Sequence, residues 1–164
     1  MAGSPTIRDV AAESPMKSLH QPRVLEDLLL RFRGLQPASK GRWGTMSAGE
    51  MLCHLGDASA SILAHPGGPP KRRRRLFKLI ALYSPTRWPG GIRTPAEVDP
   101  RRGGSRPGEF ERDRARAIDG LRALAQAPAA GLPNSHGHFG PMSEWDWKRW
   151  AYLHTDHHLR QFGL

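Results

Sequence analysis

Cysteine is almost missing from this chain. Cys53 is the single example among 164 residues, which excludes an internal disulfide framework and a thiolate zinc cluster. Long apolar runs are missing too: nowhere do about 18 apolar residues follow one another, as a membrane-crossing helix requires. Nor do the first residues show the apolar stretch of roughly 7–15 residues and the small-residue cleavage site of a secretory signal. A soluble, cytoplasmic protein with no membrane partner is therefore expected. Acidic residues are scarce as well, 15 against 25 lysines and arginines, giving a formal net charge of +10.

Such a balance raises nucleic acid as a partner. The charge is unevenly spread, however, with much of it in Lys71-Arg-Arg-Arg-Arg75 and around Arg93, Arg101, Arg102 and Arg106. No zinc-finger spacing, RNP aromatic pattern or helix-turn-helix accompanies it, so charge alone keeps that reading open.

At this length the chain is one domain, large enough to bury a core. Residues 1–18 mix small, polar and proline residues without a period and are read as a flexible leader, leaving 19–164 as the folded domain. Apolar residues then recur at helical spacing. A first helix is expected over Gln21 to Arg33, with Val24, Leu25, Leu28, Leu29 and Phe32 on one side. Ser47-Ala-Gly-Glu50 has the form of a capping box and starts a second helix running to about Ala64, where His65-Pro-Gly-Gly-Pro-Pro70 stops it. A short extra helix fits within Lys71 to Tyr83, and a long Arg/Gly/Pro-rich loop from Ser84 to Gly108 has the length of a functional excursion that could cover a cavity. Further helices follow over about Glu109 to Gln126 and from Ser143, whose hydroxyl can cap, to about Gln161. No strand pattern is visible. The expected class is all-α, a four-helix bundle with one short extra helix.

Three imidazoles fall in the last of these helices, at His154, His157 and His158. At about 100° per residue, His158 lies roughly 40° from His154, His157 about 60° to the other side and Gln161 about 20° away. Residues four apart on a helix have Cβ atoms about 5–6 Å apart, so His154 and His158 can reach one ion, while His157 aims elsewhere. A third donor is available at His54, which flanks the apolar face made by Met51, Leu55, Ala58 and Ile62. His54, His154 and His158 would give three nitrogen ligands and an open position, the arrangement of catalytic rather than closed structural sites. Each also has a plainer explanation, half-buried packing for His54 and a solvated face for the pair. Trp147, Trp150 and Ala151 share the stripe and would wall the site, with His138 near enough to approach. Cys53 points about 100° away from His54 and is read as a small buried apolar residue.

The segments Trp43-Gly-Thr-Met-Ser47-Ala-Gly-Glu50-Met-Leu-Cys-His54-Leu, His138-Phe-Gly-Pro-Met-Ser143-Glu144 and Trp150 through His154-x-x-His157-His158-Leu-Arg160-Gln161-Phe162 together resemble the DinB-like superfamily, in particular a bacterial branch of unknown function. The resemblance spans most of the chain from about residue 20. It implies a four-helix bundle whose three-histidine site takes a divalent metal, often zinc or nickel, with His54 matching the second-helix ligand and His154 and His158 the final-helix pair. Some relatives are thiol-dependent transferases or isomerases, so the resemblance extends to a low-molecular-weight thiol cosubstrate. No thiol-binding motif is present.

The leading expectation is a metalloenzyme, a thiol-dependent transferase or a related hydrolytic activity, acting on a small-molecule substrate. Asp57, one turn after His54, is the nearest candidate for proton transfer or support of a ligand, and Gln161 is placed to orient one; these are the two candidate catalytic residues. Two alternatives belong to other classes: a non-catalytic bundle whose metal fastens the C-terminal helix, and a basic nucleic-acid binder using Lys71 to Arg75. A homodimer is compatible with all three.

Overall fold

The computed structural model describes residues 16–64 and 75–164. Most of the expected leader, and Lys71 to Arg74, lie outside the described residues. The last residues of that leader do not hang loose: Ser18 is buried, the Lys17 carbonyl accepts from Arg149 Nη1, and Leu19 N donates to Lys148 O at 3.3 Å.

The regular structure of the described chain is helical apart from one pair of two-residue strands. Helix α1 (Pro22–Gly34) opens with proline in its first turn, where a missing N–H costs nothing. Its inward residues Val24, Leu28 and Phe32 are four apart and buried. Helix α2 (Ala48–Ala64) begins at the expected capping box, with Ser47 N donating to Glu50 Oε2 at 2.7 Å and Glu50 N to Ser47 Oγ at 3.2 Å. This helix is buried around most of its circumference, Met51 through Gly56 without interruption, so it is the central element. Helix α3 (Arg75–Lys78) continues as a π-helical turn over Leu79–Tyr83. The excursion from Ser84 to Gly108 contains one 3-10 turn, Ala96–Val98.

Helix α4 (Phe110–Gln126) is capped by Glu109, whose carboxylate accepts from the backbone of Glu111 and Arg112. It runs along α2 in the most extensive helix contact of the fold. Gly120 permits the close approach: a Cβ there would stand 2.7 Å from that of Ser59. Helix α5 (Glu144–Gln161) packs against α1, α4 and the π-helical turn. Its start is a capping box closed by Asp146 rather than Glu. Asp146 also accepts from Lys78 Nζ and Tyr83 OH, each at 2.5 Å, and so ties the π-helical turn to the head of α5.

One expectation needs correcting. Strands β1 (Ser135–His136) and β2 (Gly140–Pro141) pair antiparallel, Ser135 opposite Pro141 and His136 opposite Gly140. Two residues are too few to show alternation in sequence, and the pairing depends on Gly140 at φ 73°. No described helix is long and apolar enough to cross a membrane.

Candidate metal centre

Helix α4 packs against both α2 and α5, and the ring of His54 on α2 reaches the imidazoles of the last two turns of α5. One nitrogen from each of His54, His154 and His158 lies within 4.8 Å of the others. His54 Nε2 and His154 Nε2 are 3.0 Å apart, close enough for both to bond one ion at about 2.0–2.1 Å. The three rings meet edge to face, with centroids 4.8–4.9 Å apart. The expected trio converges, although its members are 100 residues apart in sequence.

Hydrogen bonds on the far side of two rings decide which nitrogens face inward. His54 Nδ1 lies 2.8 Å from the carbonyl of Val98. A carbonyl only accepts, so Nδ1 carries the proton and Nε2 presents its lone pair to the centre. His158 Nδ1 is 3.0 Å from Gln161 Oε1, and the amide of Gln161 is oriented by donating Nε2–H to the Trp43 carbonyl at 2.8 Å. Here too Nδ1 donates and Nε2 is left as a donor atom for a cation. A metal-bound histidine ordinarily has its other nitrogen held in this way, which fixes ring orientation and raises basicity.

Electrostatics favour the same state. Burial lowers the pKa of His54, that of His158 to about 3, and that of His154 well below its ordinary value, the last with further repulsion from His158 and His54. All three rings are therefore neutral near pH 7, the form that ligates. Neutral imidazole lone pairs converging in a buried place suit a divalent transition-metal ion. Among the described residues this is the one group of three or more such side chains arranged to hold an ion.

The surroundings were only partly expected. Trp150 stacks on His154 with centroids 4.5 Å apart, forming the aromatic wall. Trp147 instead turns its Nε1–H to the Pro133 carbonyl and belongs to the core. Trp88, from the long loop, lies 6.4 Å from both His154 and His157, so that excursion does cover the site. Trp43 meets His157 edge to face. His157 stands outside the trio, as its helical angle required, and its Nδ1 is buried without a protein partner. His138 is exposed; His136 is the loop histidine beside Trp150, with ring centroids 5.8 Å apart.

Of the two candidate catalytic residues, Gln161 touches a histidine and positions it. Asp57 is occupied otherwise: it accepts from Ser105 N at 2.6 Å, Ser105 Oγ at 2.8 Å and Arg116 Nη1 at 2.7 Å. It clamps the end of the long loop to α2 and α4, and no hydrogen bond joins it to the trio. Arg101 pairs with Glu50 and ties the same loop to α2, while Arg102 pairs with Asp99 within the loop. Cys53 is fully buried, and desolvation pushes its thiol pKa up, which leaves it an inert packing residue. The Val98 carbonyl was invisible in sequence because any residue type supplies the same acceptor. Gly44, at φ 74°, lies so near Gln161 that a Cβ there would stand 2.7 Å from its Nε2.

No family model, curated protein or solved structure matches this chain. Its function is therefore argued from its own residues.

Proposed function

We propose that this chain is a divalent-metal protein of the DinB-like type, a four-helix bundle in which His54, His154 and His158 hold zinc or nickel and serve an enzymatic reaction. One observation carries the reading: two buried imidazoles have their Nδ1 atoms tied back by Val98 and Gln161 and their Nε2 atoms turned toward a shared point with His154. A bound ion would supply Lewis acidity and lower the pKa of a water or thiol placed on it.

The residues do the rest. His54 and His158 are 4% and 9% exposed, whereas His154 is only half-buried, so a small-molecule substrate would approach from its side. Trp150 and Trp88 border that side and would exclude water from it. A low-molecular-weight thiol is the proposed cosubstrate, with group transfer to an electrophile, or a related hydrolysis, as the reaction class. The partial exposure of His154, beside two buried partners, favours reaction over an ion that merely fastens α5.

Metal analysis of the purified protein tests the site. About one equivalent of zinc or nickel is expected, falling to near zero in His54→Ala and His158→Ala. Stoichiometric metal in both variants would remove the basis of the proposal. A screen of thiols against electrophiles then tests the chemistry, and metal without turnover would leave only the fastening role.

A further inference from the structure

The helical segment Arg75–Tyr83 buries little of its apolar content. Leu79 and Ile80 stand three and four residues after Leu76, which places the three on one face. That face points outward: Leu76 is 71% exposed, Leu79 55% and Ile80 54%. The opposite side anchors the segment, through buried Leu82 and through Lys78, which is bonded to Asp146 and the Pro141 carbonyl. An apolar stripe of this kind, on a segment fixed from behind, has no partner among the described residues.

The surrounding sequence says what would cover it. Between Asp57 and Glu97 there is no acidic residue, while eight cations occur: Lys71, Arg72, Arg73, Arg74, Arg75, Lys78, Arg87 and Arg93. Five of these lead directly into the stripe. A second copy of the chain would bring like charges together across a two-fold axis. Nucleic acid would match the cations but leave the leucines and isoleucine in water. A surface that is both anionic and apolar just beneath its charges matches both features, and that is the chemistry of a bilayer rich in acidic phospholipid.

We propose that this segment docks the protein on an anionic membrane surface, with Leu76, Leu79 and Ile80 entering the headgroup boundary and the adjoining cations meeting lipid phosphates. The inference is independent of the metal site. It concerns lying on a bilayer, not crossing one, and so is compatible with the lack of any spanning helix among the described residues.

The experiment is vesicle co-sedimentation of the full chain, with phosphatidylcholine alone and with phosphatidylcholine mixed with phosphatidylglycerol. Binding is expected to the mixed vesicles only, and to weaken as salt is added. The double variant Leu79→Ser, Ile80→Ser removes apolar area from exposed positions without opening the core, and should bind the mixed vesicles about tenfold or more weakly at unchanged helicity. Absence of binding to the mixed vesicles overturns the proposal, as does equal binding by the double variant. A DNA duplex bound equally by both proteins, with vesicles ignored, would assign the cations to nucleic acid. A dimer that the double variant dissociates, again without vesicle binding, would assign the stripe to self-association.

Discussion

Replacing Gln161 separates what positions the metal ligand from what stabilises the fold. In the wild type its Oε1 accepts a hydrogen bond from His158 Nδ1–H at 3.0 Å and its Nε2–H donates one to the Trp43 carbonyl at 2.8 Å. Gln161→Ala loses both contacts, and loss of such a support to a ligating histidine costs 10–100-fold in metal affinity, about 1.4–2.8 kcal/mol. Gln161→Glu keeps the acceptor and adds charge, which strengthens the bond to Nδ1–H roughly twofold. It abolishes the donor to Trp43, leaving that carbonyl short of a partner at a cost of about 1–3 kcal/mol. Affinity and stability should therefore diverge: Gln161→Ala binds metal weakly, while Gln161→Glu binds it at least as tightly as wild type but melts lower. Competition against a chromophoric chelator gives the affinities, and thermal unfolding of the metal-free proteins gives the stabilities. If Gln161→Ala binds as tightly as wild type, or Gln161→Glu loses as much affinity as Gln161→Ala, the assigned role of this amide is wrong.

Acid should destabilise the metal-free protein over a defined window. The pKa of His158 lies at about 3 in the fold against an ordinary 6.5, so between those values the unfolded chain takes up a proton that the native chain refuses, and stability falls as pH drops. From pH 7 to pH 5 this one group accounts for roughly 2 kcal/mol, to be read from urea titrations at the two pH values; equal stability at both would contradict it. Asp146→Ala should cost about 2–4 kcal/mol, because it removes the carboxylate half of the capping box at Ser143 and strands Lys78 and Tyr83 without their shared acceptor. Urea unfolding with a loss under about 0.5 kcal/mol, the range of ordinary surface substitutions, would show that the latch is dispensable. Asp57→Ala should release the loop at Ser105, seen as faster amide exchange around Val98 to Ser105 with α2 still protected, and weaken metal binding by up to about tenfold through His54. Unchanged exchange would show that the Arg101–Glu50 pair and the Val98–His54 bond hold the loop without Asp57.

Much of the helical framework could be read in advance because its signals are local. Ser47 and Glu50 satisfy each other within one turn, and the four-residue spacing of Leu28 and Phe32 needs no tertiary knowledge. The histidine pair on α5 was legible for the same reason, since four residues of helix fix the relation of His154 to His158. Joining His54 to them required the packing of both α2 and α5 against α4, which the apolar faces suggested but could not place in register. What escaped was contributed by backbone or by distant loops. Val98 reaches His54 over 44 residues through a carbonyl common to every amino acid, and Trp43 holds Gln161 in the same way. Asp57 stands one turn from His54 in sequence, while its hydrogen-bond partners Ser105 and Arg116, 48 and 59 residues off, could be seen only in the fold.

Gly44 gives access to the candidate metal centre from outside it. A methyl group at that residue would press on the amide of Gln161 and, through it, swivel an imidazole two contacts away. A search for variants with altered ion preference should therefore sample the turn at 44 alongside the ligands, since it adjusts coordination without deleting a single donor.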